Sequence, residues 1–172
     1  MFHVERIKNK SCNSLKTVLF LSFFLLISCS TSRQSIQIPD YIIEPNGKEI
    51  IGKKSLSAFI FENNQKNLPL ENFLSIKYNT DNIFQNEFWI TIDKDKYKIF
   101  IYDSAEFEKY FNSANYAMIN QLPENAKKGD QRKFIAISMI NAFNEDCLAT
   151  GSLYQNIAIN YLKKIKDEYN NQ

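Results

Sequence analysis

The sequence predicts an α+β domain: an antiparallel sheet built on a hairpin over residues 88–102 and a strand over 133–140, packed by a C-terminal amphipathic helix. Two β-type runs, Phe-Trp-Ile-Thr-Ile at 88–92 and Tyr-Lys-Ile-Phe-Ile-Tyr at 97–102, are separated by the polar stretch Asp93-Lys-Asp-Lys96. The segment Lys-Phe-Ile-Ala-Ile-Ser-Met-Ile at 133–140 is apolar on both faces, as a central strand is. After Ser152 the apolar residues change to helical spacing.

Taken in order, residues 41–54 hold two apolar pairs around Pro45-Asn46-Gly47, which predicts two short extended pieces and a turn with Gly47 at positive φ. Residues 56–62 (Leu-Ser-Ala-Phe-Ile-Phe-Glu) have the composition of a buried strand. Pro69 suits the first turn of a short helix carrying Leu70, Phe73, Leu74 and Lys77. Its last residues, 75–78, fit a strand equally well.

In the hairpin, Phe88, Ile90 and Ile92 share one face with Ile99 and Ile101, while Trp89 and Phe100 point the other way. Asp103-Ser-Ala-Glu106 then matches a capping box opening a helix with Phe107, Tyr110 and Phe111. Residues 123–132 read as a loop. Ser152-Leu-Tyr-Gln155 matches a second capping box, starting a helix to about Tyr169. Its expected core stripe is Leu153, Ile157, Tyr161, Leu162 and Ile165, with Lys163, Lys164, Lys166 and Asp167 outside.

Residues 1–16 are basic, with Arg6, Lys8, Lys10 and Lys16, and an apolar run of about a dozen residues follows at 17–28. Such a run is shorter than the ~20 residues a membrane-spanning helix needs and suits the hydrophobic region of a signal peptide. It ends in Leu26-Ile27-Ser28-Cys29, which resembles the bacterial lipobox. The resemblance covers residues 1–29 alone and marks the chain as similar to bacterial lipoproteins. It implies removal of residues 1–28, a lipid on the Cys29 sulfur, and attachment to a membrane through that lipid. Ser30, rather than Asp, after the lipidated cysteine implies the outer membrane of the cell envelope, and we expect the domain to face the periplasm. The expected organisation is a cleaved leader (1–28), a lipidated cysteine with a flexible tether (29–40), and one globular domain (41–172).

Without the leader, the charge and the available chemistry change. Residues 1–28 carry four of the 21 basic and one of the 19 acidic residues, leaving 17 and 18 and a net charge of −1. A near-neutral, mixed surface has no electrostatic reason to bind nucleic acid. The one histidine, His3, lies in the leader, so a processed chain has no imidazole for a triad, a dyad or a metal. Four glycines leave no phosphate-cradling Gly-rich motif. Cys147 follows Glu145 and Asp146 and reads as a buried small hydrophobe rather than a nucleophile.

The remaining candidates are sparse. Asp93-Lys-Asp-Lys96 lacks the third oxygen donor and the later Gly and Glu of a calcium loop, so it reads as a solvated turn. Glu145-Asp146, paired with Glu106 or Glu108, would serve a carboxylate-dependent hydrolase of envelope polymers. Trp89 either lies on a second buried sheet face under the C-terminal helix or stands exposed as a binding surface. The reading these points favour is a non-enzymatic module that binds another macromolecule, a protein rather than a nucleic acid. No catalytic residue, cofactor or metal is expected.

Overall fold

The computed structural model describes residues 35–50, 52, 54–64, 68–82, 85–120 and 130–171. The leader and Cys29 lie outside the described residues, as does most of the loop expected at 123–132. The elements are β1 (Ile36–Gln37), β2 (Ile42–Glu44), β3 (Glu49–Ile50), β4 (Lys54–Ser55), β5 (Ala58–Glu62), α1 (Leu70–Lys77), β6 (Glu87–Ile92), β7 (Asp95–Ile101), α2 (Ser104–Tyr110), β8 (Tyr116–Ala117), β9 (Phe134–Asn141) and α3 (Gln155–Asn170). A 3-10 turn, Ser113–Asn115, precedes β8.

Five strands form an antiparallel sheet in the order β2-β5-β9-β7-β6. The predicted α+β class, the 88–102 hairpin, the 133–140 strand and the helix packed on the sheet are all present. β9 is central because all eight of its residues are buried, and both of its edges are paired. Phe59, Phe61, Phe88, Ile90, Ile99 and Ile137 face α1 and α3, which contribute Leu70, Leu74, Leu162 and Ile165 to the same core. On the opposite face, Ile60, Tyr102, Phe134 and Ala136 lie under Phe107 of α2 and Phe111, which caps its end. Farther along that face Phe100 and Ile140 pack with Leu56, and Ile50 of β3 leans on them.

Several local expectations are corrected. The hairpin turn has two residues, Asp93 and Lys94, because Ile92 pairs with Asp95 and both turn residues have positive φ (49° and 77°). That geometry matches the right-handed twist of the flanking strands. At Pro45-Asn46-Gly47 it is Asn46 that takes positive φ (64°). A Cβ on Gly47 would collide with the Tyr102 hydroxyl and lie 2.9 Å from the Leu56 carbonyl oxygen, so that glycine serves close approach. Residues 75–77, ambiguous in sequence, are helical.

The fold also begins before residue 41. Ile36 and Gln37 pair in parallel with Tyr116 and Ala117, and Ile38 is buried in the α2 core, so residues 36–40 are not a free tether. The capping box at 103–106 is formed: the Glu106 amide donates to Asp103 Oδ1 (2.8 Å) and the Asp103 amide to Glu106 Oε2 (3.4 Å). The one expected at 152–155 is not. The Tyr154 amide donates to Ser152 Oγ inside a turn, and α3 starts at Gln155 without a side-chain cap. Its buried stripe is Ala158, Leu162, Ile165 and Tyr169: Leu162 and Ile165 are buried as expected, while Leu153 and Ile157, expected beside them, are exposed. Lys166, expected outside, is buried and paired with Asp40.

Candidate functional site

A groove of about 950 Å³ opens on the surface beside the sheet. One wall is the β3–β4 region, with Ile50, Lys54, Ser55 and Leu56. The other is the connection from β9 to α3, with Phe143, Glu145, Asp146, Ser152, Leu153 and Tyr154.

Two turns shape the second wall. After β9 the chain reverses tightly: the Asn144 amide donates to the Asn141 carbonyl (3.1 Å), and Asn144 takes φ 61°. The Asn141 side-chain oxygen accepts from the amides of Phe143 (2.9 Å) and Glu145 (3.0 Å), and its Nδ2 donates to Glu145 Oε2 (2.6 Å). The returning strand bridges back, Ile140 opposite Asp146, with the Cys147 amide donating to the Met139 carbonyl. Phe143 therefore stands at the tip of a well-bonded turn, 78% exposed. The second turn uses Gly151 at φ 82° and a 3.0 Å bond from the Ser152 amide to the Ala149 carbonyl. Gln155 Nε2 donates to the Leu148 carbonyl at its far end, and Leu153 between them is 93% exposed. Holding these two apolar side chains in water on bonded turns gives a preorganised surface.

Asp146 ties this wall to the sheet. Its Oδ2 accepts from the Ser57 amide (2.7 Å) and its Oδ1 from the Leu148 amide (2.9 Å). Neither Glu145 nor Asp146 forms an ion pair with a described residue, while Lys54 lines the same groove. Cys147, just behind them, is fully buried. Burial, with the neighbouring Asp146 and Glu145 charges, pushes its thiol up to about 12, so it stays protonated at neutral pH.

Of the carboxylates weighed as a hydrolytic set, Glu145 and Asp146 share the groove. Neither Glu106 nor Glu108 lines the groove that holds Glu145 and Asp146. Glu106 closes the α2 capping box and pairs with Lys48 (2.5 Å). Glu108 accepts from the Ser113 amide (3.1 Å). The other cluster of acids is structural: Arg132 is held between Glu71 (2.5 and 2.8 Å) and Asp130 (2.6 Å), all three side chains largely buried. Burial disfavours the guanidinium, but the hydrogen bonds it donates to Asp130 and Glu71 outweigh it and raise its pKa. Among the described residues no group of three or more His, Cys, Asp or Glu side chains could hold a metal ion.

Trp89 is 58% exposed on β6, on the face turned away from α3, so the alternative of a face covered by that helix is corrected. The Lys98 ammonium lies 5.6 Å from its ring centroid and 5.1 Å from that of Phe100. Phe143 and Leu153 are the most exposed large apolar side chains among the described residues; Leu153, expected in the core stripe of the C-terminal helix, is corrected, and Phe143 went unnoticed in sequence because it looks like core by composition. Only the Asn-Glu-Asp and Thr-Gly-Ser stretches beside them signal turns. No described helix is long and apolar enough to cross a membrane. Comparisons with family models, with curated proteins and with solved structures found no significant match to this chain.

Proposed function

We propose that this chain is a lipid-anchored lipoprotein of the cell envelope whose domain docks a partner protein in the groove between β3–β4 and the β9–α3 connection. The observation that carries the docking is the display of Phe143 and Leu153 on bonded turns along one groove. Burying a side chain of that size on a partner contributes roughly 1.5–3 kcal/mol. Glu145 and Asp146 beside them favour a partner segment that combines apolar with basic side chains. The reading is of a binding module, not an enzyme. Trp89, facing away from α3, offers a second apolar anchor.

The anchor rests on the lipobox-like Leu26-Ile27-Ser28-Cys29 behind a basic, apolar leader. Ser30 supports the outer membrane, with the domain facing the periplasm. Intact-mass analysis of native material is expected to find a chain beginning at a Cys29 that carries acyl mass. An unmodified Cys29 still joined to residues 1–28 would remove the anchor.

For docking, the tethered chain and a Phe143→Ser/Leu153→Ser variant are crosslinked in membranes and their captured proteins compared by mass spectrometry. The expected result is a protein with a basic, apolar segment that the parent captures at least tenfold better, with the loss reproduced by high salt. Equal capture by both forms sinks the docking surface.

A further inference from the structure

The sheet has two edges, and they are built differently. β2 is a three-residue strand followed at once by Pro45, which shortens and blunts its edge. β6 is six residues long in unbroken register with β7, contains neither Pro nor Lys, and has no bulge. Among the described residues no strand pairs with its outer side. A long, regular edge without protection is a template for another strand.

The direction of its backbone groups follows from one bond. The Ile101 amide donates to the Asn86 carbonyl, so residues 86, 88, 90 and 92 face β7. Glu87, Trp89 and Thr91 therefore aim their N–H and C=O groups outward, and all three side chains are exposed. A concavity of about 290 Å³, lined by Trp89, Ile90, Thr91 and Lys96, lies at this edge.

We infer that β6 pairs antiparallel with β6 of a second copy of this chain, about a two-fold axis at Trp89, joining the two sheets into one of ten strands. The register argues for a copy. Outward residues must meet outward residues, and only a Trp89-centred register uses all three pairs: Glu87 with Thr91 twice, and Trp89 with its own mate. A register centred on Glu87 would set two carboxylates face to face, which is unfavourable. In the Trp89-centred register no like charges are opposed across β6. The two-fold axis stands perpendicular to the sheet, so both α3 helices stay on one side and both Trp89 rings meet on the other. Lys98, above each ring and paired with Glu87 in its own chain, borders that contact. Three pairs make a small interface beside the roughly 20–30 residues a side of a stable complex, so the pairing is weak.

The test uses the full chain in membranes with a short bismaleimide. Trp89→Cys is expected to give a product of twice the chain mass. The unsubstituted chain and Lys54→Cys, whose residue lies on β4, are expected to give none. Adding Thr91→Pro to Trp89→Cys removes an outward N–H without touching the β7 ladder, so the product should fall at least fivefold with circular dichroism unchanged. Trp89 is the one tryptophan of the chain. In detergent its emission should shift to the blue with rising protein concentration in the parent and stay constant in Thr91→Pro. No product at position 89, a product that survives Thr91→Pro, or a concentration-independent emission in the parent would each overturn the pairing.

Discussion

At Gly47 the fold leaves no room for a methyl group. The obstacle is the Tyr102 hydroxyl, which is the middle of a relay. Ser138 Oγ donates to the Ser57 carbonyl (2.7 Å), so its one proton is spent and Tyr102 must donate to Ser138 (2.8 Å). Tyr102 in turn accepts from the Lys48 amide (2.7 Å). Burial pushes the phenol pKa up, while the Ser138 and Lys48 bonds pull against it, so the relay stays neutral across the physiological range. Gly47→Ala is expected to cost about 1–3 kcal/mol by overpacking. Tyr102→Phe is expected to cost about 1–3 kcal/mol by stranding the Lys48 amide. Because the phenol oxygen is the first atom the new methyl meets, the double variant should be less destabilised than the two losses added, as denaturant unfolding of all four forms will measure. Full additivity would mean that the Leu56 carbonyl is the real obstacle. The glycine was legible in sequence only as a turn former. Its use for close approach depends on Tyr102, 55 positions away, which no local pattern reveals.

The elements best read from sequence are those whose signal is local. β6 and β7 alternate apolar and polar residues around a turn, and β9 is apolar on both faces. α3 was legible as a helix, and in phase only at Leu162 and Ile165, because Ser152-Leu-Tyr-Gln155 imitates a capping box while the Ser152 hydroxyl serves a turn. Tertiary bonds decide the phase. Tyr169 donates to the Leu68 carbonyl (2.8 Å), and Lys166 turns inward to Asp40. Leu162→Ala should therefore cost about 2–5 kcal/mol, as a fully buried leucine does. Ile157→Ala, on a side chain 40% exposed and expected from sequence in the core stripe, should cost less than about 1 kcal/mol. Thermal unfolding of the pair separates the two phases: equal losses would restore the stripe through Ile157.

At the scale of the molecule, the groove was out of reach of sequence reading because Ile50 and Lys54 on one wall and Phe143 and Leu153 on the other meet only after β5 and β9 pair. The same holds for the tie between the N-terminal segment and α3. Asp40 pairs with Lys163 (3.2 Å) and Lys166 across more than 120 positions, and Lys163 also lies over the Tyr41 ring that stacks on Phe59. The hydrogen bond from Lys166 holds the Asp40 carboxyl below its ordinary value, against burial and with help from Lys163. Burial disfavours the Lys166 ammonium, but the Asp40 bond outweighs it and raises that pKa. A carboxyl lowered on folding contributes stability above its unfolded value near 4, lost as pH falls through the folded one. An ammonium raised on folding contributes below its unfolded value, lost as pH rises through the folded one. The tie is thus at full strength from about pH 5 to 9. Asp40 is nearly half exposed, so Asp40→Asn should cost only about 1 kcal/mol there, and less in high salt. The gap between the parent and variant unfolding midpoints should narrow as pH falls below the ordinary carboxylate range and the parent carboxyl takes up its proton. A gap that stays constant from pH 7 to 3 would show that Asp40 acts through packing, leaving the Tyr41–Phe59 stack and the burial of Ile38 to hold the N-terminal segment against the domain.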